Sequence, residues 1–188
     1  MKEALFYNKQ DNNEVICTLC YHRCTIQEGK KGICGVRENR DGILYSLVYG
    51  KSVSESTDPI EKKPLFHFHP GSRSFSVATA GCNFKCLHCQ NSSISQMPRD
   101  QKYIAGNELS PSSIVSLAHE YECKSISFTY TEPTIYFEYA YETSLLAKKE
   151  GIGTVFVTNG YTTPEPLKTI QPCLDAANID LKSFSDEF

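Results

Sequence analysis

Three cysteines on one short loop are the residues of this chain whose type and spacing point most directly to chemistry. Cys82, Cys86 and Cys89 form a C-x3-C-x2-C triplet. A tetrahedral zinc site or an ordinary iron–sulfur cluster takes four protein ligands, so three thiolates predict a [4Fe–4S] cluster whose open iron holds a substrate or cofactor. The spacing differs from the bacterial ferredoxin run C-x2-C-x2-C-x3-C-P, which argues against a plain electron carrier.

A second set of cysteines lies near the amino terminus at spacings typical of metal ligands. Cys17, Cys20, Cys24 and Cys34 follow the pattern C-x2-C-x3-C-x9-C, and His22 inside the set is an alternative ligand. Thiolates bind zinc and iron alike, so the pattern leaves a zinc site and a second iron–sulfur cluster open. We favour zinc because the spacings are short and the segment is small and polar.

Composition and charge exclude several classes of function. The chain has 188 residues, 40% of them hydrophobic, which is enough for one domain with a buried core and a small appendage. Its 19 basic and 22 acidic residues form no large basic cluster, so we expect no nucleic-acid partner. The sequence shows no apolar signal-peptide run and no stretch near the roughly 18 apolar residues of a membrane span. We therefore expect a cytoplasmic protein with no membrane association.

The cysteine count favours metal binding over a disulfide framework. Nine cysteines are an odd number, no export signal is recognisable, and most of the nine lie at metal-ligand spacings. Cys123 and Cys173 stand apart from both sets. We predict that each of these two is a small buried apolar residue.

The chain is predicted to have three segments. Residues 1–49 form an N-terminal Cys-rich metal-binding module, which buries little and depends on a metal to fold. This module contains Arg40-Asp-Gly42, a hairpin turn signal ahead of a strand-like run. Residues 50–73 are a connector rich in charge and proline, and residues 74–188 form the N-terminal portion of a barrel.

Strands and helices are predicted to alternate in the last segment. The predicted strands are residues 74–80, 125–131, 154–159 and 176–182, and the predicted helices are residues 111–121, 134–150 and 164–171. Ser110-Pro111 and Thr163-Pro164 each supply an N-cap followed by proline at the first helical position. Successive strands with intervening helices indicate right-handed βαβ crossovers and a parallel sheet.

Side-chain alternation in these strands predicts a cavity. In the second strand Ser125 and Ser127 share one face, and Ile126 and Phe128 share the other. Small polar residues that point inward leave room for a ligand, whereas a packed barrel interior needs bulky branched residues. Four strands cannot close a barrel, so the predicted fold is α/β, a partial (β/α) barrel truncated after about four strands. A compact four-stranded α/β domain is the alternative.

Seven motifs in a fixed order give the chain a resemblance to a known family. They are Cys17-x2-Cys20, Cys34-Gly-Val-Arg37, Val48-Tyr-Gly-Lys51, Asp58-Pro-Ile-Glu-Lys-Lys-Pro-Leu-Phe-His67, the triplet run from Cys82 to Asn91, Tyr130-Thr-Glu-Pro-Thr134 and Val157-Thr-Asn-Gly160. With these motifs the chain resembles the radical S-adenosylmethionine (SAM) superfamily. More narrowly, it resembles the radical SAM member of the AmmeMemoRadiSam system, a relative of pyruvate formate-lyase activating enzymes.

The resemblance implies an oxidoreductase that uses a [4Fe–4S] cluster and SAM. In this superfamily three thiolates hold the cluster, and the amino and carboxylate groups of SAM chelate the fourth iron. One electron then splits SAM into methionine and a 5′-deoxyadenosyl radical, which abstracts hydrogen from a substrate. The implied partners are a low-potential electron donor of the ferredoxin or flavodoxin type, a protein substrate that receives a glycyl radical, and Memo-like and AMMECR-like proteins.

The resemblance also assigns SAM contacts on the triplet loop and after the second strand. His88 takes the place of an aromatic residue near the adenine, and Asn91 matches an asparagine near bound SAM. Glu132 lies where relatives carry Gly-Gly-Glu and receive the SAM amino group. Without the resemblance, His88 is a loop histidine able to ligate metal, Asn91 a turn residue and Glu132 an exposed loop glutamate.

Four residues at the ends of the third and fourth strands complete the implied SAM site. Thr158 and Asn159 are expected near the ribose or methionine part of SAM. Lys182 resembles a lysine that meets the SAM carboxylate, and Asp180 resembles an aspartate placed near SAM or a bound cation. Since Asp180 and Lys182 point to one face of a strand, a mutual ion pair on a surface face is the alternative.

A rival function from a different class uses the same cysteines. A non-catalytic zinc and iron–sulfur binding module, or an electron-transfer module, would also need both cysteine sets. This rival predicts a fourth protein ligand near the triplet, such as Cys123, and no cleavage of SAM.

Overall fold

Short antiparallel strands carry the amino-terminal cysteines. In the computed structural model, which describes residues 1–185, these strands are β1 (Lys2–Glu3), β2 (Tyr7–Lys9), β3 (Val15–Cys17), β4 (Thr25–Ile26), β5 (Arg37–Arg40) and β6 (Ile43–Ser46). They form two three-stranded sheets, in the orders β2-β3-β4 and β1-β6-β5. Asp41 and Gly42 both have positive φ between β5 and β6, so the hairpin turn that the sequence predicts is present.

Strands and helices alternate through the rest of the chain. The strands are β7 (Lys51–Ser52), β8 (Ser54–Pro59), β9 (Arg73–Ala78), β10 (Asn107–Glu108), β11 (Ser125–Phe128), β12 (Gly153–Thr158) and β13 (Ala176–Ile179). The helices are α1 (Ser92–Ser95), α2 (Met97–Asp100), α3 (Pro111–Glu120), α4 (Phe137–Lys149) and α5 (Pro164–Ile170). β7 and β10 form a small antiparallel pair, and the other five strands form the main sheet.

The main sheet has the strand order β13-β12-β11-β9-β8. Within it β9, β11, β12 and β13 are parallel to one another, and each connection between them contains a helix. A parallel pair needs such a crossover, so the predicted α/β fold with a parallel sheet is confirmed. The four parallel strands are the four predicted ones, each ending one to three residues earlier than expected. Truncation of a larger barrel stays a prediction.

β8 is a strand that the sequence did not reveal. It lies inside residues 50–73, expected to be a connector, and pairs antiparallel with β9 from Ser54 opposite Ala78 to Pro59 opposite Arg73. Its run SESTDP lacks apolar alternation, so the period-2 signal of a strand is missing. Its proline is tolerated because β8 is an edge strand of the described sheet. The segment therefore contributes to the sheet, while the division into three segments stays a prediction.

The two predicted helix caps behave differently. Ser110 Oγ accepts a hydrogen bond from the Ser113 backbone N–H at 3.1 Å, as an N-cap of α3 should. Thr163 is the N-cap residue of α5 and is followed by proline, as predicted, but its side chain makes no cap bond to the helix. Its hydroxyl donates instead to the backbone oxygen of Thr18 at 2.7 Å, a competing acceptor that only the tertiary structure provides.

α4 begins later than the predicted residue 134. Pro133–Tyr136 form a 3-10 turn, and Glu132 caps this turn by accepting a hydrogen bond from the Thr134 backbone N–H. α4 proper starts at Phe137. Because the helix starts later, the Glu132 carboxylate lies at the end of the loop that follows β11.

Small polar residues line one face of β9 and β11, as the alternation predicts. Ser74 and Ser76 lie in register opposite Ser125 and Ser127, and all four are fully buried. Ser74 Oγ lies 2.6 Å from Ser127 Oγ and accepts a hydrogen bond from Ser125 Oγ at 2.9 Å. The other face is apolar, and its Phe128 packs on aromatic rings of the 3-10 turn and of β12.

One hydrophobic core joins the amino-terminal sheets to the main sheet. It includes Val15 and Leu44 from the amino-terminal strands together with Ile126 and Phe137, all of them buried. The amino-terminal module therefore packs directly on the elements that carry the triplet loop. Within residues 1–185, no helix combines the length and the apolar character needed to cross a bilayer.

Candidate functional site

A cavity of about 610 Å³ opens at the carboxyl ends of the four parallel strands. This volume lies within the roughly 300–1,000 Å³ range of small-molecule sites, and strand carboxyl ends are where α/β folds place ligands. The ten residues predicted to contact a cluster or SAM all line it: Cys82, Cys86, His88, Cys89, Asn91, Glu132, Thr158, Asn159, Asp180 and Lys182. The fold thus brings the whole predicted set together, and their contacts with SAM stay predictions.

The three triplet thiols are free and half-buried on the loop after β9. Cys82 Sγ accepts a hydrogen bond from the Phe84 backbone N–H at 3.4 Å, and Cys89 Sγ lies 3.4 Å from Ser95 Oγ. Burial raises the pKa of the Cys82 thiol to about 12. Because metals bind the thiolate, ligation at this cysteine has to release a proton.

The donor set fits an iron–sulfur cluster better than a single ion. Within residues 1–185, no three His, Cys, Asp or Glu side chains are assembled closely enough to hold one metal ion. A cluster spreads its thiolates over several irons, so its ligands lie farther apart than those of one ion. Cys82, Cys86 and Cys89 face one cavity from one loop, which suits a three-thiolate cluster.

Gly81 lets the triplet loop approach the amino-terminal module. Its φ is +104°, and a Cβ at this position would lie 2.7 Å from Val36 Cγ1 and 3.2 Å from the backbone oxygen of Cys34. A larger residue would therefore push the loop away from the module. Gly81 N–H also donates to the backbone oxygen of Ile94 at 3.0 Å, which ties the loop to α1.

Glu132 is 2% exposed, so the interpretation as an exposed loop glutamate is wrong. Its Oε1 accepts three hydrogen bonds, from Thr134 N–H, Thr134 Oγ1 and Thr158 Oγ1, at 3.0, 2.6 and 2.6 Å. Its Oε2 accepts one, from Asn159 N–H at 2.8 Å. Burial raises the pKa of this carboxyl in spite of the four donors. Oε2 is the oxygen with a lone pair left for a cationic ligand.

Asn159 and Asn91 act on the backbone around the cavity. Asn159 Nδ2 donates to Asn83 Oδ1 at 2.8 Å, and its Oδ1 accepts from Tyr161 N–H at 2.9 Å. Asn91 Nδ2 donates to the backbone oxygen of Tyr130 at 2.8 Å. Tyr130 has φ +64°, a strained conformation for an aromatic residue, and this bond helps to hold it. Both amides therefore cross-link loops that follow different strands.

Asp180 and Lys182 form the ion pair that the alternative interpretation expected, and they also line the cavity. Lys182 Nζ lies 2.8 Å from Asp180 Oδ2, with side chains 28% and 41% exposed. Burial lowers the pKa of Lys182, but the neighbouring Asp180 carboxylate outweighs it, so the pKa is raised. Lys182 therefore stays charged at the edge of the cavity, and His88 lies exposed on the same rim.

The radical SAM superfamily model matches residues 76–188, which include the triplet loop and every strand end around the cavity. The chain belongs to the radical SAM superfamily. This membership implies SAM and a [4Fe–4S] cluster in general terms, and it fits the three thiols that open into one cavity.

Three relatives come from Methanocaldococcus jannaschii. An uncharacterized protein, MJ0808, is 51% identical over 186 residues, covering 99% of this chain and 55% of the relative. A second, MJ0674, is 27% identical over 176 residues, covering 91% and 46%. A putative glycyl-radical enzyme activating enzyme, MJ1632, is 30% identical over 115 residues, covering 61% and 42%. The chain spans about half the length of the curated relatives it matches.

Sequence reasoning missed a charged network on another wall of this radical SAM cavity. Lys62 and Lys63 line the cavity, and both ammonium groups contact Asp58, at 2.8 and 2.6 Å. Tyr130 Oη also donates to Asp58, at 2.5 Å. The sequence signal was the spacing of four residues between Asp58 and Lys62, which brings their side chains close enough to pair. Both residues belong to a motif that carried the family resemblance, but the motif gave them no role.

The amino-terminal cysteines face a second, much smaller cavity of this radical SAM protein. It has a volume of about 20 Å³ and is lined by Cys17, Cys20, Cys24 and Cys34 together with His22 and Arg37. Arg37 is 1% exposed, and its Nη1 has no hydrogen-bond partner among the described residues. Four thiolates around a divalent ion carry net negative charge, which such a guanidinium would balance. The four thiols are metal ligands by type, but no three of them are assembled closely enough among the described residues to hold one ion, so a metal at this site, zinc or iron, stays a prediction.

Cys123 and Cys173 are both buried, as predicted. Cys123 lies just before the amino end of β11, whereas Cys82 follows the carboxyl end of β9. Because β9 and β11 are parallel, these two cysteines lie at opposite ends of the strands, Cys123 at the amino end and Cys82 at the carboxyl end. Cys123 is therefore not placed to be a fourth ligand of the triplet.

Proposed function

We propose that this chain is an enzyme that reductively cleaves SAM at a [4Fe–4S] cluster held by Cys82, Cys86 and Cys89. The product would be a 5′-deoxyadenosyl radical that abstracts hydrogen from a substrate. The observation that carries the proposal is that three free thiols and every residue predicted to contact SAM open into one cavity of about 610 Å³. Membership of the radical SAM superfamily supports the same chemistry.

The protein's own contribution is to bind and orient SAM. Glu132 Oε2, with one acceptor site unused, is suited to the SAM ammonium group. Lys182 is suited to the SAM carboxylate, and Asp180 keeps the lysine charged and oriented. When bound, the cluster supplies the electron that splits SAM.

Loop cross-links would keep this geometry fixed. The bonds from Thr158 to Glu132 and from Asn159 to Asn83 join loops after β11, β12 and β9. Asn91 joins the triplet loop to the backbone of Tyr130 after β11. Bonds between loops fix the relative positions of the side chains around the cavity, and a protein orients reactive cofactors by such fixed contacts.

We propose installation of a glycyl radical on a partner protein as the substrate chemistry to examine first. The support is the name of MJ1632, a putative glycyl-radical enzyme activating enzyme that is 30% identical over 115 residues. A place in the AmmeMemoRadiSam system, with Memo-like and AMMECR-like partners and a ferredoxin or flavodoxin as electron donor, rests on sequence resemblance. A cytoplasmic location is a proposal that rests on the sequence analysis alone.

The rival electron-transfer module needs a fourth protein ligand for the triplet. The position of Cys123 counts against this rival, because Cys123 lies at the amino end of the parallel strands and the triplet lies at their carboxyl end. Within residues 1–185 the cavity is lined by three cysteines, Cys82, Cys86 and Cys89. An open iron therefore fits the arrangement better than a fully ligated cluster.

The decisive experiment is anaerobic reconstitution of the full chain followed by a SAM cleavage assay. Iron and sulfide are counted first, then SAM and dithionite are added and 5′-deoxyadenosine is measured. We expect the product from wild-type protein and from Cys123→Ser, and neither a cluster nor the product from Cys86→Ser. If protein with an intact four-iron cluster releases no 5′-deoxyadenosine, the enzyme proposal is wrong and the rival is favoured.

A further inference from the structure

The lysine wall of the cavity has no role in the function proposed above. Lys62 and Lys63 line the same cavity as the three thiols. Lys63 is almost fully buried at 1% exposure, whereas the Lys62 side chain is 62% exposed. Burial of a lysine is unfavourable unless its charge has a partner, so the presence of Lys63 at this wall needs an explanation.

Asp58 holds the two lysines in place but leaves some of their N–H donors unused. Its two oxygens accept from Lys62 and Lys63, and also from Ser76 Oγ at 2.9 Å and Tyr130 Oη at 2.5 Å. Each ammonium has three donors and no acceptor, and contact with Asp58 occupies one of them. The wall therefore retains N–H donors for a further acceptor.

The charge balance of the wall also favours an anion. Two ammonium groups meet one carboxylate, while the phenol of Tyr130 is neutral, so the wall carries one net positive charge. Lys63 Nζ lies 4.8 Å from the Tyr130 ring centroid, which adds weak stabilisation but no negative charge. A partly buried excess of positive charge is best compensated by an anionic ligand group.

This wall is distinct from the lysine near the thiols. Lys182 pairs with Asp180, and the thiols of Cys82 and Cys86 act on its pKa. Lys62 and Lys63 pair instead with Asp58, at 2.8 and 2.6 Å. The cavity thus has two separate groups of paired lysines, one after β13 and one at the end of β8.

We propose that Lys62 and Lys63 form a subsite that binds an anionic group of the substrate, a carboxylate or a phosphate. Assigning this anion to the substrate rests on the proposed function, in which SAM occupies the end of the cavity near the thiols. The anion binding itself depends on neither SAM nor the reductant. Asp58 is a positioning residue for the two ammonium groups.

The test is a titration of the cluster-reconstituted full chain with inorganic phosphate and, separately, with acetate. The shift of the unfolding temperature is measured anaerobically at constant ionic strength, with chloride as the reference anion. Lys62→Met keeps the side-chain stem and removes an exposed charge, so the variant should fold. Lys168→Met, an exposed lysine of α5 outside the cavity, is the matched control.

We expect a saturable shift with at least one anion, weakened about tenfold in apparent affinity by Lys62→Met and unchanged by Lys168→Met. Asp58→Asn removes the carboxylate that positions both ammonium groups, so it should weaken anion binding in a variant that remains folded. Phosphate alone shifting the transition indicates a phosphate-bearing substrate, and acetate shifting it indicates a carboxylate.

The proposal is overturned if neither anion shifts the transition beyond chloride, or if Lys62→Met responds as the wild type does. Because the titration contains no SAM and no reductant, either result leaves the 5′-deoxyadenosine assay as an independent test of the enzyme proposal.

Discussion

His22 Nε2 lies 2.8 Å from the backbone oxygen of Asn83, so the first cysteine set contacts the triplet loop directly. A carbonyl oxygen only accepts, so Nε2 must carry the proton and donate. Asn83 directly follows Cys82 in the sequence. The imidazole ring also packs edge to face on Tyr161, at 5.0 Å between centroids. The amino-terminal module therefore supports the backbone beside Cys82, a predicted cluster ligand.

His22→Ala should make the cluster less persistent. The variant loses the hydrogen bond to the triplet loop and the ring contacts with Phe84 of that loop and with Tyr161. A bond of about 1 kcal/mol corresponds to roughly fivefold in an equilibrium. We expect the cluster absorbance to decay several times faster in the presence of an iron chelator. His119→Ala, a substitution of an exposed histidine on α3, is the control. Equal decay rates in both variants would show that the contact does not stabilise the cluster.

The Arg37–Glu138 ion pair should be a main determinant of stability. Arg37 Nη2 donates to Glu138 Oε2 at 2.5 Å, and the two side chains are 1% and 0% exposed. Removing one partner leaves the other charge buried and unpaired, which costs about 3–5 kcal/mol. Arg37→Met should therefore lower the free energy of unfolding by about that amount, measured by denaturant titration.

The double variant distinguishes this mechanism from a simple loss of packing. Arg37→Met combined with Glu138→Leu should be more stable than Arg37→Met alone, because no unpaired charge remains. Arg40→Met is the control, since Arg40 is 43% exposed and pairs only at the surface. A double variant no more stable than the single one would contradict the account.

The sequence predicts contacts between residues that are close along the chain better than contacts between residues that only the tertiary structure brings together. Cys82, Cys86 and Cys89 are separated by a few residues, so their spacing alone predicts a metal site. Arg37 and Glu138 are 101 residues apart, and neither has a local pattern that indicates the other.

Strand positions show the same limit. The four parallel strands were predictable because apolar and turn residues alternate with helical segments. β8 was missed because it is polar and ends in proline, and its pairing depends on β9. With β8 missing, the role of Asp58 and its lysines could not be inferred, although the residues themselves were visible in a motif.

Asp58 should make the fold sensitive to acid. Burial acts to raise the pKa of its carboxyl, but hydrogen bonds from Lys62, Lys63, Tyr130 and Ser76 outweigh burial and hold the pKa below its usual value. A carboxyl whose pKa is lower in the folded state contributes stability that is present above the unfolded pKa of about 3.9. This contribution is lost as the pH falls from there through the folded pKa.

The measurement is the free energy of unfolding of wild type and Asp58→Asn at several pH values. The difference between the two should be constant above about pH 5 and shrink as the pH falls below about 4. Asp175→Asn, outside this network, serves as a control for general acid effects. A difference that stays constant down to pH 2 would contradict the linkage.

Glu132→Gln should weaken SAM binding. The substitution keeps the size of the side chain but removes the charge proposed to meet the SAM ammonium, and a charge-assisted hydrogen bond contributes about 1.5–3 kcal/mol. We expect at least about a tenfold higher dissociation constant for SAM, measured anaerobically by equilibrium dialysis with the cluster in place. Glu165→Gln, on the exposed side of α5, is the matched control. Unchanged affinity would remove Glu132 from the SAM site.

Cys17→Ser should remove the metal that the amino-terminal module is predicted to bind. Burial raises the pKa of the Cys20 thiol to about 11 and that of Cys34 to about 12, so these groups need a metal to become thiolates. We expect metal analysis of the purified variant to show loss of zinc, while iron and sulfide remain in the proportion of one [4Fe–4S] cluster. Loss of iron and sulfide with no change in zinc would instead identify a second cluster.

The stability of an Arg37 variant gives a second test of metal binding at the amino-terminal cysteines. Arg37 lines the cysteine cavity, and its Nη1 has no hydrogen-bond partner within residues 1–185, so thiolates bound to a metal there would offer it an acceptor. Arg37→Met should therefore lower the free energy of unfolding more when the metal is bound than after the metal is removed with a chelator. Cys173→Ser, a substitution of a buried cysteine outside both sets, controls for the loss of a thiol from the core. Equal costs with and without metal would show that Arg37 stabilises the fold through Glu138 alone.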